Sequence, residues 1–473
     1  MLTVNSIVDT LNRGGYPTVA YADDVAILIS GRFPAVMGEL MQTALDQIVN
    51  WASSNGLRIN PSKTELVLFT RDRIVPRFPL PRIGNTQLTL SPQVKYLGLT
   101  MDRKLNWRTT VEERIKKATI AFFTCKRLFG RNWGLKPHMV YWLYISIVRP
   151  ILTYGALVWW TATRRATIRK DLAGVQRMAC IGISGAMRTT PTAGLEIILG
   201  LQPLDLFVKK CACMTAVRIR NNGQLTVSPT DTGHASILME FEHGRDGRWQ
   251  DLDVTVPRTS FDNGYRVRIP SREEWEKGEV IGPESGLIIF TDGSKTEDGT
   301  GAGLFSENPA LAHSFRLEGH ITVFQAEVFA LLKASESARE IPTESITVCS
   351  DSKAALLALA SYKTNSRLVD RCKVALNELT ERAEVTLVWV PGHRGIPGNE
   401  KADELARAGA AEGRQAAERG IGRSLATVKA ELEEYLWREM DRRWTERSDC
   451  NKSRTTWPHP NKGRSSYHGA GTT

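Results

Sequence analysis

Of four carboxylates between residues 287 and 410, three are set at the end or on the edge of an apolar segment and one near the start of a helix. Leu287-Ile288-Ile289-Phe290 has the composition of a buried strand and runs into Thr291-Asp292-Gly293-Ser294. Such a strand brings Asp292 to its end, and Gly293 lets a ligand approach the backbone closely. Phe324 to Ala338 has helical spacing, with Glu327 beside Val328, Leu331 and Leu332. Ser345 to Cys349 reads as a second strand, ending in Ser350-Asp351-Ser352, with a helix over 353–359 directly after it. Glu384 to Val390 reads as a third, closing on Pro391-Gly392-His393-Arg394-Gly395. Gly398-Asn399-Glu400-Lys401-Ala402-Asp403-Glu404 then opens a last helix. Strands followed by helices predict an α/β unit.

Two carboxylates at strand ends, one on a helix and one at a helix start can meet at one edge of a sheet. Four such groups repel one another unless cations neutralise them. All-oxygen sites suit Mg²⁺, which takes carboxylates together with substrate phosphate. Two ions about 4 Å apart can stabilise both the attacking and the leaving oxygen of a phosphodiester displacement. His393, on a glycine-flanked loop, suits proton transfer or product release.

The segments TDGS, the helical AE, SDSKAAL and GHRGIPGNEKAD resemble the ribonuclease H type 1 family, in the same order. The gaps between Asp292, Glu327, Asp351 and Asp403 are 35, 24 and 52 residues. The resemblance implies a mixed five-stranded sheet with flanking helices. It also implies hydrolysis of the RNA strand of RNA–DNA hybrids, with His393 assisting. The implied cofactor is two Mg²⁺ ions, or Mn²⁺ in their place, on those four carboxylates. Members of the family often carry a basic protrusion between the last two motifs. Ser361 to Leu368 is short here, which points to the basic N-terminal part for a substrate handle.

That part is distinctive in charge. Residues 1–286 carry a net +12, residues 287–410 a net −4 and residues 411–473 a net +3. Lys104 to Arg177 holds 15 Lys and Arg against Glu112, Glu113 and Asp171. Trp107, Phe122, Phe123, Phe129, Trp133, Tyr141 and Trp142 are interleaved. The expectation is a helical domain with an aromatic core, whose cations meet a nucleic-acid backbone.

Upstream, Thr18 to Ser30 reads as two short strands around a turn at Asp23-Asp24, and Phe33 to Asn55 as a helix. Leu57 to Phe69 reads as strand–turn–strand and Val94 to Met101 as one strand. Tyr21-Ala22-Asp23-Asp24, Gly56-Leu57-Arg58-Ile59-Asn60 with Lys63-Thr64-Glu65, and Lys95-Tyr96-Leu97-Gly98 resemble the palm of a reverse transcriptase, most nearly that of non-LTR retrotransposons. The basic helical segment would then be its thumb. That family also needs an aspartate from an upstream palm strand, and before Asp23 the only acidic residue is Asp9. The expectation is a chain that does not polymerise DNA by itself, with Asp23 and Asp24 as a vestigial polymerase site.

The resulting division is a partial palm (1–103), a helical basic thumb-like domain (104–220), a connection region (221–286), the ribonuclease H domain (287–410), and a linker, amphipathic helix and disordered tail (411–473). The fold class is α/β: an α+β palm remnant, a helical thumb and a mixed sheet with flanking helices. Met139 to Trp160 is the most apolar window, read as a buried helix broken near Pro150 rather than a membrane span. Met1 to Gly15 lacks the pattern of a secretory leader. Seven cysteines without a CxxC pair suit a reducing, intracellular compartment with no disulfide partner, nucleus and cytoplasm being left open. Cys211-Ala212-Cys213, Cys450, His459 and His468 lack the count and spacing of a zinc site. The competing reading is a retroelement relic that binds nucleic acid without turnover.

Overall fold

In the computed structural model, a six-stranded sheet and the helices on it position Asp292, Glu327, Asp351 and Asp403. The described residues are 2–74, 78–128, 134–225, 233–242, 251–256, 258–261, 263–271, 274–275, 286–412, 417–418, 420–447, 450–456 and 458–459. The expected disordered tail lies outside them beyond residue 459, as do Phe129, Trp133 and His468. The chain divides into two units, Met1–Leu195 and Glu196–Thr473, so the helical segment expected over 104–220 is shared between them.

In the first unit, Thr18–Tyr21 and Asp24–Ile27 pair as an antiparallel hairpin, with Ala22 at positive φ in its turn. The turn therefore precedes Asp24 rather than containing both aspartates. The helix expected after it spans Pro34–Ser54. Two sequence expectations change here. Around Asn60 there is no strand pair: the Asn60 side chain accepts from the Ser62 amide and caps a short helical turn, Pro61–Lys63. The single strand expected over 94–101 is a hairpin, Gln93–Tyr96 against Leu99–Asp102, because Leu97 and Gly98 both take positive φ. Helices then follow, the longest being Arg108–Lys126 and Ala166–Ser184.

Trp107 and Phe122 are buried as expected of a core, whereas Phe123 and Trp142 stay exposed. The apolar window does not break at Pro150. A wide five-residue turn, Tyr144–Val148, precedes Arg149–Thr153 and accommodates the amide that proline lacks. The chain bends instead at Gly155, at positive φ. Among the described residues no single helix is long and apolar enough to cross a membrane. No disulfide joins the seven cysteines.

The second unit begins with α1 (Leu204–Asn221). Its sheet contains β1 (Arg266–Arg268), β2 (Leu287–Lys295), β3 (Thr300–Ser306), β4 (Leu311–Leu317), β5 (Ser345–Ser350) and β6 (Glu384–Trp389). The order is β4-β3-β2-β5-β6-β1. The β2–β3–β4 meander is antiparallel, and β5, β6 and β1 add on in parallel. The sheet is mixed, as expected, but has six strands rather than five. The extra strand is Arg-Val-Arg from the connection region, too short and polar to announce itself.

Helices α2 (Val323–Ala338), α3 (Lys353–Ala360), α4 (Arg367–Thr380) and α5 (Pro397–Ala411) flank the sheet. Apolar side chains of β2, β3, β5, β6, α2, α3 and α4 form one core that also takes in Tyr265 and Ile421. The segment read as a linker is thus partly packed: Ile421 is 4% exposed, and the backbone of Arg423 pairs with that of Leu252. The expected amphipathic helix is α6 (Leu425–Glu446), which buries Val428, Leu432, Leu436, Met440 and Trp444. It is tied to α1 by Arg443–Asp205 and Lys210–Glu433 ion pairs.

Candidate metal centre

The register of three parallel strands sets the site. Thr291 of β2 pairs with Ser350 of β5, and Ser350 with Trp389 of β6. Asp292 and Asp351 each follow the last paired residue, so two adjacent strands present carboxylates at the same level. The sequence reading ended the strand at Asp292. In fact β2 continues to Lys295, because its far half pairs with β3, where Gly303 faces Asp292. The end that matters is the end of pairing with β5.

Glu327 comes from the first turns of α2, whose start is set by a capping box between Thr322 and Gln325. Asp351 is held through its backbone by the Trp389 indole, which donates to the Asp351 carbonyl at 3.0 Å. A Cβ on Gly392 would lie 2.6 Å from Asp351 Oδ2, so any larger residue in the loop after β6 would displace that carboxylate.

One oxygen from each of Asp292, Glu327 and Asp351 lies within 4.8 Å of the others. This is the only group of three or more potential metal ligands found among the described residues. Asp292 and Glu327 are 7% and 5% exposed. Burial, then the neighbouring Asp292 and Asp351, pushes Glu327 up to about 10. Burial, then Asp351 and Asp403, moves Asp292 upward, and burial also raises Asp351 against a hydrogen bond from Asn399. Glu327 Oε2 is buried with no hydrogen-bond partner.

Three converging carboxylates, one with an orphaned buried oxygen, leave a net deficit of positive charge. A hard divalent cation with oxygen ligands fits that deficit. The donor set contains neither sulfur nor nitrogen, which disfavours a zinc site.

Asp403 is not one of the three, but it lies close enough to Asp292 to push that carboxyl upward. It faces Arg407 at 2.6 Å, and His393 Nδ1 lies 3.9 Å from the same oxygen. His393 takes positive φ on its exposed loop. Helix α5 delivers Asp403 by lying directly on β3: a Cβ on Gly303 would run into the Ala402 carbonyl. The sequence reading missed Gly303, although the small-residue run Gly301-Ala302-Gly303 was its visible signal. It also gave no role to Asn399 or Arg407. Asp23 and Asp24 are exposed at the first unit's hairpin and belong to no such ligand group.

Residues 284–411 match the family model for ribonuclease H, and residues 1–101 match that for reverse transcriptase (RNA-dependent DNA polymerase). The Retrovirus-related Pol polyprotein from type-1 retrotransposable element R1 of Nasonia vitripennis is 24% identical over 218 residues, covering 45% of this chain and 64% of that protein. Its counterpart from Bradysia coprophila is 25% identical over 205 residues, 43% of this chain and 20% of that protein. Human Ribonuclease H1 is 30% identical over 142 residues, 26% of this chain and 50% of that protein. The chain thus spans between about a fifth and just under two thirds of the length of these relatives.

Proposed function

We propose that this chain, in which a reverse-transcriptase segment precedes a ribonuclease H domain, hydrolyses the RNA strand of RNA–DNA hybrids at the Asp292–Glu327–Asp351 centre. The observation that carries the reading is the carboxylate triad, two of its members buried and Asp351 half-buried, with its unpartnered Glu327 oxygen. Asp292, Glu327 and Asp351 would hold one Mg²⁺, and Asp403 would join Asp292 toward a second, with Mn²⁺ as a substitute. Ions so bound would neutralise the cluster and the charge that develops on the phosphodiester.

The protein's own groups set the stage. The strand register fixes Asp292 and Asp351 side by side, and the low exposure of Asp292 and Glu327 excludes water that would screen them. His393 Nδ1 is turned to Asp403, which leaves Nε2 to exchange a proton with solvent or with the leaving group. Cations of Lys104 to Arg177 would bind the nucleic-acid backbone. Asp23 and Asp24 would retain the polymerase sequence without serving this reaction.

The test is cleavage of a labelled RNA–DNA hybrid by the purified chain, in Mg²⁺ and in EDTA, beside duplex DNA and duplex RNA. Metal-dependent cutting of the hybrid's RNA strand alone is expected. Salt-sensitive binding without cutting would favour the nucleic-acid-binding relic. Asp351→Asn is expected to abolish cleavage while hybrid affinity and melting temperature stay near wild type. Loss of binding in that variant would count against a purely catalytic role.

A further inference from the structure

Asn399 is the third residue of α5 and is 3% exposed. Its side chain draws the Asp351 carboxyl down against the upward push of burial, as an amide donor facing it does, while its Oδ1 is buried with no partner. The carboxylate accepts, so the amide must present Nδ2 to it; the reversed amide would set oxygen against oxygen. One half of the Asn399 side chain is therefore committed and the other is an orphaned acceptor. It shares that status with Glu327 Oε2.

A buried acceptor without a donor is costly, and an apolar residue of the same shape would avoid the cost. Asparagine makes sense there if a donor arrives with a ligand. Mg²⁺ gives up its hydration shell reluctantly and keeps several waters, whose O–H groups point away from the ion and need acceptors. Asp351 meanwhile is held at its backbone by the Trp389 indole on its carbonyl, and Gly392 leaves room for Oδ2. Asn399 supplies a constraint on its carboxylate.

We propose that Asn399 is a positioning residue of the cation centre: Nδ2 orients Asp351, and Oδ1 accepts a hydrogen bond from a water that the cation carries in. The assignment rests on the reading that Asp292, Glu327 and Asp351 hold a divalent cation. Partners of this outer kind typically change metal affinity by about 10- to 100-fold.

The experiment is calorimetric titration of the full chain with Mn²⁺ and, separately, Mg²⁺, for wild type, Asn399→Ala, Asn399→Leu and Asp351→Asn. Each is also melted in EDTA. Both Asn399 variants are expected to bind Mn²⁺ about 10- to 100-fold more weakly than wild type. Their melting temperatures in EDTA should change little, because the lost bond to Asp351 is offset by removal of the unpaired buried acceptor, and leucine keeps the volume. A folded Asn399 variant with wild-type Mn²⁺ affinity overturns the assignment. So does a variant whose only change is a lower melting temperature in EDTA, which would make Asn399 a packing residue. If Asp351→Asn loses Mn²⁺ and the Asn399 variants keep it, the cation centre stands and only the role of Asn399 falls. If wild type and Asp351→Asn bind alike, the centre and this role fall together.

Discussion

Glu327 shows most directly what the centre costs the fold. Its carboxyl is 5% exposed, one oxygen has no partner, and burial pushes it up to about 10 from an ordinary 4.5. Below pH 4.5 both the folded and the unfolded chain hold this proton, so the group adds nothing to the pH dependence. Between 4.5 and about 10 the folded chain binds the extra proton. Metal-free stability therefore falls as pH rises through that window, by up to about 1.4 kcal/mol per pH unit for one group. Asp292, shifted the same way, adds to the slope. Melting the chain in EDTA from pH 5 to pH 9 should show a steady fall, and Glu327→Gln, which removes the charge at nearly constant shape, should flatten it. Saturating Mg²⁺ should flatten it in wild type as well, since a bound cation favours the ionised carboxylates. A metal-free profile that rises with pH would show that the carboxylates are already neutralised by the protein.

At the level of elements, α5 sits on β3 only because Gly303 has no side chain where the Ala402 carbonyl passes. Asp403 is one residue further along that helix. Gly303→Ala should push α5 off the sheet, cost about 1–3 kcal/mol as overpacking does, and lower cleavage by more than the loss of folded protein explains. Melting temperature and single-turnover cleavage of the same sample separate the two effects. This packing also marks where the sequence was legible. Apolar runs ending in Asp292 and Asp351, and helical spacing around Glu327, are local patterns, and they read correctly. The length of β2, the hairpin at Leu97-Gly98 and the strand Arg266–Arg268 depend on pairing with distant partners or on two positive φ angles. Local composition carries little trace of either. Asn399 stood inside a quoted motif, but its half-satisfied amide is visible only once α5 and β5 are brought together.

At the scale of the whole chain, the nuclease fold reaches beyond the residues that resemble its family. Asp253, in the connection region and 7% exposed, accepts from the Leu368 amide at 2.9 Å, from Ser366 Oγ at 2.9 Å and from Gln325 Nε2 at 3.0 Å. It thereby joins the starts of α2 and α4. The Asp253 amide donates to the Arg423 carbonyl, and the Arg423 amide to that of Asp251, each at 2.9 Å. Asp253→Ala strands buried donors on two helices and should cost about 2–3 kcal/mol, read as a lower denaturant midpoint for the second unit. A midpoint equal to wild type would mean that the flanks are decoration.

Charge is divided unevenly along the sequence, and it sets what to expect of hybrid binding. Residues 287–410 carry a net −4, so a polyanion gains little from them at long range, whereas residues 1–286 carry a net +12. On the helix Arg108–Lys126 the buried face is Val111, Arg114, Ala118 and Phe122, while Lys116 and Lys117 stand exposed on the other. Exposed cations of this kind act by displacing counterions from phosphate, and each contact contributes about 0.9 to the slope of log affinity against log salt. Hybrid affinity of the full chain should therefore fall steeply with salt. Lys116→Gln with Lys117→Gln should reduce the slope by roughly 1–2 and weaken hybrid and duplex DNA alike, because phosphate contacts carry no preference between them. Cleavage at saturating hybrid should persist, since the carboxylate centre is untouched. A salt-independent affinity, or a double variant with the wild-type slope, would place the binding energy elsewhere than in these cations.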